Sequence, residues 1–341
     1  MANIKYTLKR FLSLTLLLGL AGCATNYTAY AARPDVQQFI NQVSAKDQFS
    51  KTQLTELFSQ IKPNQHIIKN MTTPHESMHW YAYRAIFMQA ARAQEGADFW
   101  RKHAATLTYA QQRYGVPPEI IIAILGVETR YGQIQGNYSA FDAISTLAFN
   151  YPPRANYFKS ELEQYLLLTR EGSFDPLTLK GSYAGALGAA QFMPSSYRHY
   201  AVSYTGKKYS NLFNNADDAI VSIANYFHAN GWQAGGAVAV KTRITGKRYL
   251  SMPKQSLKPH RSLAQFEHDG VYPAKPFPAS EKATLISLAG KNGVEYWLGF
   301  HNFYVITRYN TSSLYAMAVY QLSDWIRSDY ESESKMATKT S

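Results

Sequence analysis

Apolar residues recur along this chain at three- and four-residue spacing, interrupted by short polar stretches, a rhythm that predicts a mostly helical protein. Between Pro34 and Tyr114 the segments VQQFINQV, LTELFSQI and HWYAYRAIFMQAARAQEGADFWRKHAATLTYAQQRYG carry it. Gly115 closes the last of these, and Pro117-Pro118 opens the next helix, where a missing N–H does no harm. AFDAISTLAFN, NYFKSELEQYLLLTREG and PSSYRHYAVSY extend the helical pattern to about Tyr204, and ADDAIVSIANYFHANG ends at Gly231. The character changes after Trp232. AVAVKTRIT alternates like a strand, EYWLGF and NFYVITRY also read as strands, and the segments between them are rich in lysine and proline. SSLYAMAVYQLSDWIRSDY returns to helix behind a serine cap. The expected organisation is a helical domain over 34–113, a second helical region over 114–231, a small β-rich region over 232–302 and, over 303–330, a return to the core followed by a C-terminal helix. The polar tail 331–341 is expected to be disordered.

The N-terminus reads differently. Lys5, Lys9 and Arg10 precede FLSLTLLLGL, a signal-peptide pattern whose apolar run is short for a membrane span. It ends at Leu20-Ala21-Gly22-Cys23, which resembles the bacterial lipobox. Cys23 is the single cysteine of the chain, and lipidation gives that exported thiol a purpose. Residues 1–22 are therefore expected to be removed, with 23–33 a tether. Ala24 stands where an aspartate would signal inner-membrane retention, so the expected location is the outer membrane, facing the periplasm of a Gram-negative cell.

Composition and charge narrow the partner. The net charge is +12, and removing residues 1–22 takes away three cations and no anion. A basic exported protein suits an anionic partner such as peptidoglycan carboxylates or acidic lipid. Nucleic acid does not fit that compartment. The 26 tyrosines suit a surface that is apolar yet able to hydrogen-bond, as sugar clefts are.

Three stretches carry candidate chemistry. In IIIAILGVETRYG, Ile121, Ile124 and Glu128 share a helix face. A carboxyl on a buried face is poorly solvated and favours its protonated form, which a general acid needs. The alternative is a glutamate turned outward or paired with Arg130. In GSYAGALGAAQFMPSSY, Gly181, Gly185 and Gly188 permit close approach by a helix or a ligand. Gln191 there is a neutral two-way hydrogen-bonder beside the apolar Phe192 and Met193. In FYVITRYNTSSLY a strand is expected to turn at Tyr309-Asn310 into a serine-capped helix. A fourth motif competes: HESMH, residues 75–79, is a formal zinc-peptidase pattern using His75, Glu76 and His79. It stands at a helix start without apolar residues before it, so exposed first-turn histidines are the simpler reading.

In order along the chain, YGVPPEIIIAILGVETRYG, STLAFNYPPRANYF, LKGSYAGALGAAQFMPSSY, VSIANYFHANGW and NFYVITRYN resemble the blocks of the membrane-bound lytic murein transglycosylase B family, within the lysozyme-like superfamily. The resemblance runs from about Tyr114 to Leu322. It implies a mainly α (α+β) fold: a lysozyme-like core, here 114–231, with the added helical domain and the inserted β-rich region. It implies non-hydrolytic cleavage of the β-1,4 bond between N-acetylmuramic acid and N-acetylglucosamine, leaving 1,6-anhydro ends. Glu128 corresponds to the family's catalytic glutamate. Substrate contacts map onto Ser182, Gln191, Tyr226, Tyr309, Asn310 and Tyr315, with Phe192 and Met193 as an apolar wall. The family's NYPRRA block reads NYPPRA here, so Pro153 replaces one of two arginines that can meet carboxylates and Arg154 remains. Asp142, the nearest downstream carboxyl, reads as a helix-start charge rather than a partner for Glu128. Some members carry a calcium loop after the SSY helix. Lys207 and Lys208 stand in it here, so neither metal nor any other cofactor is expected, and Asp217 and Asp218 are expected to cap the next helix. The alternatives to this enzyme are a non-catalytic glycan-binding anchor and the zinc peptidase.

Overall fold

The computed structural model describes residues 30–72, 78–252 and 256–340. Cys23, His75 and Glu76 lie outside the described residues. Residues up to Lys62 form one compact unit and Pro63 onward a second. In the first unit, helices α1 (Pro34–Asp47) and α2 (Lys51–Ser59) bury Val36, Ile40 and Leu54, with Phe39 against Phe58.

In the second unit come α3 (Gln65–Met71), α4 (Trp80–Phe87), α5 (Ala90–Lys102) and α6 (Ala104–Tyr114). The long periodic stretch from Trp80 is thus divided among three helices. Met88 and Gln89 leave helical geometry after α4, and His103 ends α5 and starts α6 with φ −114°. Next are α7 (Pro118–Thr129), α8 (Ala140–Asn150), a 3-10 turn at Pro152–Arg154, α9 (Ala155–Gly172), α10 (Pro194–Tyr200) and α11 (Ala216–Ala229). Two short strands, β1 (Tyr138–Ser139) and β2 (Lys180–Gly181), pair antiparallel beside them.

The β-rich region holds β3 (Ala239–Ile244), β4 (Arg261–Ser262), α12 (Leu263–His268), β5 (Val271–Pro273), β6 (Lys282–Gly290) and β7 (Gly293–Gly299). Its sheet is antiparallel with strand order β4-β6-β7-β3-β5. Val240, Leu263, Phe266, Val271, Leu298 and Phe300 form its core. The chain finishes with α13 (His301–Tyr309) and α14 (Ser313–Thr340).

Two expectations are corrected here. NFYVITRY is helix α13, not a strand. Its aromatic and β-branched residues imitate a strand, but Asn302, Phe303 and Ile306 are buried on one side at helical spacing. The Asn302 amide, which accepts from Gln233 N–H and donates to the Gln233 and Gly236 carbonyls, fixes its start. Packing overrides local propensity. The polar tail is helical to Thr340 rather than disordered. Glu333 pairs with Arg101 at 2.7 Å and accepts from Gln94 at 2.8 Å, so α5 holds the helix beyond residue 330.

Helix α7 lies at the centre. It packs against α5, α6, α11 and α14, and Ile120, Ile121, Ile122, Ile124 and Leu125 are all buried. Each such side chain contributes roughly 1.5–3 kcal/mol. A helix that is apolar all round must be enclosed on every side, and its polar end, with Glu128, is only partly buried.

Candidate active site

Glu128 occupies the last turn of α7, and the residues just beyond it force the helix to stop there. Arg130, Tyr131 and Gly132 all have positive φ (49°, 61° and 86°). Tyr131 folds back so that its N–H reaches the Leu125 carbonyl at 2.9 Å and its hydroxyl reaches that of Arg92. Gly126 makes this possible, because a Cβ there would come 2.8 Å from the Tyr131 hydroxyl. Arg130 does not pair with Glu128. Its guanidinium grips Glu95, with Nε 2.7 Å from the carboxylate. Thr129, fully buried, donates to the Ala189 carbonyl at 2.8 Å and accepts the Gly132 N–H at 2.9 Å. That threonine ties the turn carrying Glu128 to the loop carrying Gln191.

The half-buried carboxyl of Glu128 accepts a hydrogen bond from the Tyr315 hydroxyl at 2.6 Å. Ser312 caps α14 by accepting the Tyr315 N–H, and this sets where Tyr315 points. From Tyr315 a row of rings leads away from the glutamate. Tyr309 stacks parallel to Tyr315 with centroids 6.4 Å apart, and Tyr226 meets Tyr309 edge-on at 4.9 Å. The Tyr309 hydroxyl donates to the Ala190 carbonyl and that of Tyr226 to the Arg308 carbonyl.

Gln191 has a left-handed φ of 49°. Its amide donates to the Gln135 and Gly188 carbonyls at 3.0 and 2.9 Å, which leaves its oxygen to accept. Gly188, with φ 67°, lets this loop reach residue 212; a Cβ there would come 2.6 Å from the Leu212 carbonyl oxygen. The close approach anticipated from the glycines is thus, at this position, to the protein's own backbone. Phe192 is 2% exposed and lies beneath the tyrosines, 5.7 Å from both Tyr226 and Tyr309. It supports the floor and is not an open wall, whereas Met193 is half-buried.

The other expected site residues divide. Ser182 accepts the N–H groups of Ala184 and Ala186, so its oxygen shapes the loop that leads to Gln191. Asn310 ends α13 in extended geometry directly after Tyr309. Arg154 is exposed on the 3-10 turn, its guanidinium 4.3 Å over the Tyr157 ring. Asp142 is in the first turn of α8, capped by Ser139, and its charge acts on Tyr165, which bonds the Pro176 carbonyl. His79 precedes α4 and stacks on Tyr81. Thr129, Ala190 and Arg308 give no signal in the sequence. The last two act through backbone carbonyls, which leave no signature in residue type.

The loop after α10 does not fit calcium. Both oxygens of the buried Asp218 accept backbone N–H groups, from Tyr204 and Asn211, at 2.8 Å. Asp217 instead receives Thr106 and faces His103. The cap of α11 is Asn215, not Asp217 or Asp218, because it stands just before the helix and its side-chain oxygen accepts both their N–H groups, whereas the two aspartates are already inside the first turn. Among the described residues, no three His, Cys, Asp or Glu side chains are grouped to hold a metal.

Burial pushes the phenols of Tyr197 and Tyr226 up to about 12. It drives Tyr309 and Tyr315 well above their usual 10, and the charge of Glu128 adds to that. Both stay neutral donors throughout the physiological range. Unfolded phenols ionise near 10, so this part of the stability is intact below that pH and is lost as pH rises through the folded values. In a spectroscopic alkaline titration, the exposed tyrosines should ionise first. The buried set should follow only with unfolding, above about pH 11. A single tyrosinate transition near 10 with the far-ultraviolet helix signal intact contradicts this burial.

The chain is similar to characterised proteins over most of its length. The family model "Transglycosylase SLT domain" matches residues 31–324. Membrane-bound lytic murein transglycosylase B of Escherichia coli (strain K12) is 43% identical over 303 residues, covering 86% of this chain and 82% of that protein. Catenated lytic transglycosylase SltB1 from Pseudomonas aeruginosa matches with a TM-score of 0.83 at 43% identity, over 88% of this chain and 99% of the other. SltB3 from Pseudomonas aeruginosa, in complex with NAG-NAM-pentapeptide, matches with a TM-score of 0.75 at 27% identity, over 86% and 79%.

Proposed function

This chain belongs to the family defined by the transglycosylase SLT domain, and from that premise we propose that it is a peptidoglycan lytic transglycosylase with Glu128 as its acid and then its base. The protonated carboxyl gives its proton to the oxygen leaving muramic C1. The substrate's own N-acetyl oxygen covers the C1 face, as in substrate-assisted glycosidases. The carboxylate then removes the proton of the C6 hydroxyl, and O6 closes on C1. One C–O bond breaks, one forms, and no water is consumed.

The observation that carries this reading is the contact between Tyr315 and Glu128 at the head of the tyrosine row. A neutral donor on one carboxyl oxygen fixes the group's orientation while leaving the carboxyl able to give and take a proton. A two-carboxylate retaining mechanism needs a second carboxyl about 5–5.5 Å away; Asp142, the nearest candidate downstream, sits in the first turn of α8, where its charge suits the helix start. In the same reading Gln191, Asn310 and Ser182 contact the sugars, and Arg154 a carboxylate. Incubation with purified sacculi and mass analysis of the products tests the reaction. Anhydro-muropeptides are expected. Reducing ends indicate a hydrolase, cut stems a peptidase using His75, Glu76 and His79, and no release a binding protein.

We also propose that the protein is held at a membrane by a lipid on Cys23, at the outer membrane's periplasmic face. Among the described residues no helix is long and apolar enough to cross a membrane, so attachment falls to the N-terminus. Expressed in a Gram-negative host, Cys23→Ser should take up no labelled fatty acid and should move to the soluble periplasmic fraction. Unchanged membrane fractionation contradicts the anchor.

A further inference from the structure

At the Tyr226 end of the ring row, the surface opens into a polar pocket of about 650 Å³. Its walls include Tyr200, Tyr226, Ser195, His199, Asn230 and Arg308. Tyr200 packs edge-on against Tyr226 at 4.7 Å, so the pocket continues the tyrosine row rather than standing apart from it.

The charges there are unevenly used. Arg198, also on the wall, is neutralised by a bidentate pair with Glu171 at 2.6 and 2.9 Å. Glu161 lies behind Ser195, which donates both N–H and hydroxyl to its two oxygens. The Asn230 amide donates back to the Tyr226 carbonyl, which leaves its oxygen as an acceptor. Arg308 differs from all of these. Its carbonyl holds the Tyr226 hydroxyl, which locks the backbone in place. Its side chain is exposed, and among the described residues its guanidinium has neither an ion pair nor a hydrogen bond. A fixed backbone beneath a guanidinium with unused donors favours a planar anion, because the fork of N–H groups matches a carboxylate.

We propose that this pocket is a specificity subsite for a carboxylate of the peptide stem on the muramic residue, with Arg308 the group that pairs with it. The proposal rests on the transglycosylase reading, in which the tyrosine row carries the glycan. Arg308 touches no reacting atom and should act on KM rather than kcat.

The test compares Arg308→Gln with the unmodified protein on three substrates. These are strands with intact stems, strands whose stem carboxylates have been amidated, and strands stripped of stems so that the lactyl carboxylate is bare. The expected result is about a 10- to 50-fold loss of kcat/KM on intact stems, carried by KM. The loss on amidated and stripped strands should be at least five times smaller, and Arg308→Lys should restore part of the activity on intact stems. An equal loss on all three substrates, or none on intact stems, overturns the proposal. A large loss on stripped strands assigns the contact to the lactyl carboxylate and overturns the stem assignment. If the unmodified protein forms anhydro ends on none of the three, it is the transglycosylase reading that has failed.

Discussion

Glu128→Gln should release no measurable anhydro-muropeptide from sacculi, a loss of about 10³-fold or more, while the protein still binds the wall. Acid–base participation is worth typically 10²–10⁴-fold in one step. Here the same carboxyl serves both steps, so an amide, which can neither give nor take the proton, blocks each in turn. The substitution is close to isosteric. The amide oxygen can still accept from Tyr315, the link from Thr129 to Ala189 is untouched, and the aliphatic residues of α7 that carry the fold are unchanged. The variant should therefore melt within a few degrees of the unmodified protein and co-sediment with sacculi. About 10³-fold corresponds to some 4 kcal/mol of transition-state stabilisation, more than a single neutral hydrogen bond contributes. Retention of a tenth of the activity would remove Glu128 from the acid role and send the search to another carboxyl.

How far the sequence reveals this site varies with what each residue does. Glu128 is legible because a carboxyl at the end of IIIAILGV breaks an apolar pattern that packing requires, and such breaks mark function. The β6–β7 hairpin shows the opposite. EYWLGF reads as a strand, but β6, whose middle is ATLISLA, gives no clear signal because short apolar runs fit helix and strand alike. α13 misleads for a related reason. Its aromatic residues are those of a strand, and only the buried Asn302, binding residues 233 and 236 far away in sequence, shows that helix wins. The site's scaffold is the least legible part. Tyr309 is anchored on a carbonyl of Ala190 and Tyr226 on one of Arg308, and any residue other than these could offer a carbonyl. The positive φ of Gln191 likewise belongs to the loop's closure rather than to glutamine, which has no preference for it. Residues that do chemistry must be a given type. Residues that position them through their backbone need not be, and this divides what is visible in the sequence from what requires the fold.

The second large effect belongs to Tyr315, which acts through Glu128 and is a positioning residue. Tyr315→Phe should lower kcat by about 10- to 150-fold with little change in KM. The side chain is 2% exposed, and its hydroxyl is 2.6 Å from the carboxyl. A hydrogen bond to a charged group is worth roughly 1.5–3 kcal/mol, and phenylalanine offers the carboxyl no donor in its place. Phenylalanine keeps the ring that stacks on Tyr309 and fills the same volume, so the aromatic row and the cap from Ser312 should survive. The loss should therefore appear in the rate of the chemical step and not in binding. A purely structural role predicts a different pattern: a lower melting temperature, a raised KM and a comparable loss from Phe192→Leu, which sits under the row without touching the carboxyl. Tyr309→Phe provides the discriminating control. Its hydroxyl is bonded to Ala190 and not to Glu128, so that change should loosen the loop of Gln191 and raise KM more than it lowers kcat. Should Tyr315→Phe turn over at the unmodified rate, the Tyr315 hydroxyl is not what orients the carboxyl, and the fixed geometry of α7 and α14 would not be what aims the proton.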